Sequence, residues 1–188
     1  MVEATVPRRI PARGITVAGV AIMLLGAGAA LTPAEKGLSA DVIGALLLAA
    51  GLIEIVAGSL RRDTRIAAML AGGVTSVAGL IFLLNQARFF PTVNIVVGWL
   101  FIRCVVLGVA STRVAGSVRR WTLIAAVTDL LLGLILLIGL SLAQVVILLF
   151  GPTPYIVASF AWILALSFVA TGLLLLEVGS CERQGNGG

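Results

Sequence analysis

The sequence predicts an all-α, polytopic membrane protein: six transmembrane helices arranged as three helical hairpins, with the N and C termini cytoplasmic. Three observations point there. Hydrophobic residues make up 60% of the chain and charged ones only 11%, with a mean hydropathy of +1.17, which lies outside the range of ordinary soluble domains. The apolar residues fall into six runs, each close to the ~20 residues that cross a bilayer as helix. The basic residues gather at alternate breaks between those runs.

The first span, Ile15 to Leu31, follows Arg8, Arg9 and Arg13 and has the layout of a signal peptide. Thr32-Pro33 and the charged Glu35-Lys36 come next without an A-x-A cleavage site, so the segment reads as a retained helix. The second span, Val42 to Leu60, carries Gly44, Gly51 and Gly58 seven residues apart, on one helix face where a neighbouring backbone can approach closely. The third, Ile66 to Leu84, repeats that spacing with Gly72 and Gly79. Tight helix packing is the reading we give these glycines, in preference to a ligand groove; the packing can be within one chain, between copies, or against other membrane proteins.

The fourth span runs from Thr92 to Thr112 and the fifth from Trp121 to Leu140. Beyond Leu140 the chain stays apolar to Phe150, a run that as helix measures about 45 Å against a hydrocarbon core of ~30 Å. Either the fifth helix tilts and projects, or Ser141 to Phe150 forms a short separate helix at the outer surface. Gly151-Pro152-Thr153-Pro154 ends the run in both cases. The sixth span, Tyr155 to Leu176, is followed by a short tail, and Gly172 and Gly179 near its end again lie seven apart. Every element is read as helix because an isolated span must satisfy its own backbone hydrogen bonds, and no run alternates as a barrel strand does.

The organisation is thus a cytoplasmic tail (1–13), one membrane domain (14–180) with repeats at about 14–62, 65–113 and 120–178, and a second tail (181–188). Orientation comes from the arginines. Arg8, Arg9, Arg13, Arg61, Arg62, Arg65, Arg113, Arg119, Arg120 and Arg183 lie on one side, and only Lys36 and Arg88 on the other. Cytoplasmic loops retain positive charge, so ten against two places both termini inside. Phe89-Phe90 and Tyr155 then belong to the outer interface and Trp121 to the inner one.

Three ionisable residues lie well inside spans: Glu54, Arg103 and Asp129. Glu54 is seven residues before Arg61, Arg103 ten before Arg113 and Asp129 nine after Arg120, so all three sit roughly 10 to 15 Å from the same side. A charge near the bilayer centre costs ~2.5 to 3.5 kcal/mol on insertion scales, so such residues face the bundle interior and pair. Arg103 is the cation at that depth, and the expectation is a pair with Asp129 across spans four and five, with Glu54 as second or alternative partner. Trp99, one turn earlier on the same helix, offers a cation–π contact. Thr75, Ser76, Thr128, Ser167 and Thr171 are expected to bond to their own helix or a neighbour. Glu177 is expected near Arg183 at the inner interface, in solvent.

The composition also weighs function classes. There is no histidine, and Cys104 and Cys181 form no paired pattern, which argues against disulfides, haem and His-ligated metals; no cofactor is expected. The net charge of +5 is scattered through short loops rather than massed on a soluble face, so the partner is the lipid bilayer and not nucleic acid. An enzyme would need a nucleophile with its base, or a metal with several ligands, and no such motif is present. Two readings of the charged layer stay open. It is a fastener that fixes helix register, or, with one cation for two carboxylates, a pH-responsive element that takes up a proton on acidification. A small transporter or proton pathway using the same layer is the alternative from a different class.

Several stretches give the chain a further likeness: LTP at Leu31 to Pro33, GLIE at Gly51 to Glu54 followed by Arg61-Arg62, GLIFLLN at Gly79 to Asn85, and WLFIR at Trp99 to Arg103. On these the chain resembles the HdeD family of bacterial inner-membrane proteins over nearly its whole length. The resemblance implies three repeats of a two-helix unit, a multi-pass inner-membrane location, and a part in acid resistance and stress response. Aligned on Trp99, the position of Glu54 falls on Leu107 and Ala170 in the other repeats, so the acid is not repeated.

Overall fold

The computed structural model describes residues 9–31, 40–61, 64–84, 92–150 and 156–184. These form six α-helices and, among the described residues, no strand: α1 (Arg9–Ala30), α2 (Ala40–Ser59), α3 (Arg65–Leu84), α4 (Thr92–Ser111), α5 (Gly116–Phe150) and α6 (Ile156–Gln184). All six contain a stretch long and apolar enough to cross a membrane. The expected aromatic positions Phe89, Phe90 and Tyr155, and the cations Arg8, Lys36, Arg62 and Arg88, lie outside the described residues.

Three helices run further than their apolar spans. α1 starts at Arg9, six residues before Ile15, with Pro11 in its first turn, where the missing N–H has no intrahelical partner to lose. α6 continues to Gln184, eight residues past Leu176. α5 is one continuous helix of 35 residues, about 52 Å long. The alternative of a separate short helix over Ser141 to Phe150 is thus resolved in favour of a single rod longer than the hydrocarbon core is thick. At the basic links the helices close with tightened turns: Arg61 N–H donates to Gly58 O and Arg113 N–H to Ala110 O, while Thr64 O accepts the first bond of α3 from Ala68.

Each helix packs on the next in chain order, and α6 packs back on α1, so the six close into a ring. The most extensive pairings are α2 with α3 and α1 with α6, then α4 with α5; the expected hairpin partners α1/α2, α3/α4 and α5/α6 touch less. Close pairing is therefore displaced by one helix from the expected hairpins. Small residues explain the displacement, because lipid is as apolar as leucine and helix association in it depends on how near two backbones come. A Cβ on Gly51 would lie 2.7 Å from Gly72 O, and one on Gly79 would lie 2.8 Å from Gly44 O and 2.5 Å from Leu48 N. Gly58 meets Ala68 and Met69 of the same partner helix. Gly44, Gly51, Gly58, Gly72 and Gly79 thus all lie in the α2/α3 contact. Gly19 and Gly172 do the same for α1 and α6.

The outer surface carries large apolar side chains such as Val17, Leu24, Val56, Ile66 and Ile135, whereas the interior holds Ile15, Ile22, Leu47, Leu100, Leu164 and Phe168 around a polar centre. The largest fully buried side chain in that core is a charged one, Arg103.

Candidate functional site

Arg103 lies on α4, and its guanidinium reaches three other helices. Nη1 donates to Asp129 Oδ2 of α5 at 3.1 Å and to Ser167 Oγ of α6 at 3.1 Å. Nη2 donates to Glu54 Oε1 of α2 at 3.0 Å and to Thr171 Oγ1 of α6 at 2.7 Å. All four terminal N–H groups are therefore used, each on a different residue, which only a planar fork with several donors can do. The fifth donor, Nε, has no hydrogen-bond partner among the described residues. Arg103 and Asp129 are each 1% exposed and Glu54 5%, so the cluster is sealed from its surroundings.

The hydroxyls have consistent polarity. Ser167 Oγ accepts from Arg103 and donates to Asp129 Oδ1 at 2.6 Å, which occupies the second oxygen of that carboxylate. Thr171 Oγ1 accepts from Arg103 and donates to Ser167 O at 2.8 Å, one turn back on its own helix. Two residues four apart on α6 thereby complete the shell, each sharing a guanidinium nitrogen with one of the acids. From sequence, Ser167 and Thr171 read only as hydroxyls bonded to their own helix or a neighbour. The signal that could have singled them out is their spacing in a third helix at the depth of the charged layer, with Arg103 still holding unused donors.

Trp99 is buried beside the cluster, but its ring centroid is 6.0 Å from Arg103 Cζ, at the outer limit of a cation–π contact. Its polar contact is elsewhere: Nε1–H donates to Thr75 Oγ1 of α3 at 3.1 Å, and Thr75 in turn donates to Ala71 O. Trp99 therefore ties α3 to the helix that carries Arg103. With this link, side chains at one depth connect α2, α3, α4, α5 and α6.

Glu177 does not meet Arg183 among the described residues. It accepts from Ser117 Oγ at the start of α5, and Arg183 instead donates to Thr16 Oγ1 of α1 at 2.9 Å. Cys104 is a free, half-buried thiol, and among the described residues no group of acids and cysteines has the arrangement of a metal site.

The cluster can hold four helices in one register, and it presents two carboxylates to one cation, a formal charge of −1 when both are ionised. Ser167→Ala is expected to lower stability by about 1 to 2 kcal/mol, because it strips one partner from Arg103 and another from Asp129. Thr171→Val, which removes one partner only, should lower it less; equilibrium unfolding in mixed micelles measures both. The chain matches no model of a protein family, no curated protein and no solved structure.

Proposed function

We propose that the chain is a non-enzymatic, multi-pass protein of the bacterial inner membrane, of the HdeD type, which supports survival of acid or envelope stress. In this reading the Glu54/Arg103/Asp129 cluster fastens the bundle and responds to acidification. The observation that carries it is the use of both terminal nitrogens of Arg103 by four partners on three helices at 1% exposure. A substrate or ion pathway needs a hydrated, polar lining, whereas here the polar groups are turned on one another and enclosed by apolar packing. Loss of the charge on Asp129 would leave Arg103 with a single counter-charge and change a joint that spans the bundle, which in this reading couples pH to packing.

The test is survival at low external pH of a strain lacking the protein. Survival should fall on deletion and return with the wild-type chain; no change on deletion would remove the acid part of the reading. In liposomes the wild-type protein should leave the bilayer tight to protons. A flux abolished by Glu54→Gln or Asp129→Asn would instead support the proton-pathway reading of the same residues.

A further inference from the structure

Two cavities lie outside the charged centre, both in the seam between α3 and α4. One, of about 590 Å³, is lined by residues that include Leu70, Gly73, Val77, Asn94, Gly98 and Ile102. The other, of about 360 Å³, is lined by residues that include Thr64, Arg65, Leu70, Val105, Val109 and Arg113. On α4 the positions 94, 98, 102, 105 and 109 recur every three or four residues, so both cavities follow one stripe of that helix, with Arg113 just past its end. Leu70 borders both. The two cavities therefore adjoin at Leu70 and together make a furrow that follows α4 for about 22 Å, from Asn94 to Val109, and ends at Arg113.

The furrow is open because its walls are bare. A Cβ placed on Gly73 or Gly98 would meet nothing within 4 Å, in contrast to the glycines of α2/α3. Its rims, Leu70, Val77, Ile102, Val105 and Val109, are exposed apolar side chains in helices that span the membrane. Charge stands at one end only of the lining: Arg65 and Arg113 flank that mouth with Thr64 beside them, whereas the other end carries the neutral Asn94. Both arginines are exposed, and neither guanidinium has a partner among the described residues.

We propose that this furrow binds one anionic phospholipid from the leaflet on the arginine-rich side, its phosphate between Arg65 and Arg113 and an acyl chain laid past Leu70 towards Gly73. The dimensions agree. Half of a ~30 Å hydrocarbon core is about 15 Å, or ten helical residues, which from Arg113 reaches the level of Ile102 and Gly73. Paired guanidinium groups between membrane helices at the surface recognise phosphate, and the apolar wall selects a tail rather than a soluble anion. A second copy fits less well. Two-fold packing about an axis normal to the membrane would bring the same arginine-rich mouths together and set like charges against each other.

The experiment is native mass spectrometry and lipid titration of the delipidated full chain with phosphatidylglycerol and with phosphatidylcholine of the same tails. One phosphatidylglycerol per chain is expected, held roughly 30-fold more tightly than phosphatidylcholine, the combined effect of two arginines. Arg65→Gln with Arg113→Gln should bring the two lipids to parity. Gly73→Leu, which keeps every charge but fills the furrow, should weaken long-tailed phosphatidylglycerol and leave a short-tailed form unaffected. Equal binding of the two lipids by the wild type overturns the proposal. So does displacement by millimolar inorganic phosphate, or cross-linking of two copies through cysteines placed at Gly73 and Gly98.

Discussion

Arg103→Ala is expected to destabilise the bundle by about 3 to 5 kcal/mol, the range for removing one partner of a buried ion pair. The loss is not that of one salt bridge. Asp129 and Glu54 would be left buried beside a cavity with no counter-charge, and Ser167 and Thr171 would each lose a donor. Arg103→Lys should recover only part of this, because an ammonium has three donors from a single nitrogen and cannot reach four acceptors on three helices. The informative comparison is the combined variant Glu54→Leu, Arg103→Met, Asp129→Leu. Replacement of a whole buried charge cluster by apolar side chains is often neutral or stabilising, so this variant should unfold at or above the wild-type denaturant midpoint. Equilibrium unfolding in mixed micelles reads all three. If Arg103→Ala unfolds with the wild type, the cluster does not fasten the helices. If the apolar variant is stable yet fails to restore acid survival, the charges act in the function as well as in the packing.

Gly79→Val is expected to lower stability by about 1 to 3 kcal/mol or more, the effect of forcing atoms into a packed contact. The new Cβ alone would lie 2.5 Å from Leu48 N and 2.8 Å from Gly44 O. Both are backbone atoms of α2 and have no rotamer to move, so α2 and α3 must separate along the contact that also holds Gly51 against Gly72. Because α2 carries Glu54, the shift should weaken the arginine cluster too, and Gly79→Val combined with Glu54→Gln should cost less than the sum of the two alone. Gly98→Ala is the control. With open space at its Cβ, it should stay within about 0.5 kcal/mol of the wild type, in the same helical setting and with no change of charge.

The depth of the charged layer is legible in the sequence, because distance along a membrane helix is residue number times rise, and the basic links at Arg61, Arg113 and Arg120 provide a common origin. The existence of six helices is legible for the same one-dimensional reason, with the length of apolar run set against bilayer thickness. The glycine faces on α2 and α3 can be read from their spacing of seven. What each face meets cannot. Gly44, Gly51 and Gly58 form a small-residue stripe whether the partner is α1, α3 or another copy. The choice of α3 depends on complementary small residues at Gly72 and Gly79 being brought opposite by the short link between the helices.

The rest is rotation. A helix that is apolar all round, such as α4 or α6, has no distinct polar side to mark its outer face, and its surrounding lipid is as apolar as its own side chains, so composition does not say which side turns inward. That angle decides that Ser167 and Thr171 complete the shell of Arg103, that the Trp99 indole bonds Thr75 instead of lying close over the guanidinium, and that α1 closes the ring on α6. Run lengths and basic links are enough to establish a six-helix membrane protein in which one cation and two acids share a depth. Their partners emerge only in the packed bundle, because hydrogen bonds and backbone approaches between helices depend on helix phase, which hydrophobicity sets in water and packing sets in lipid.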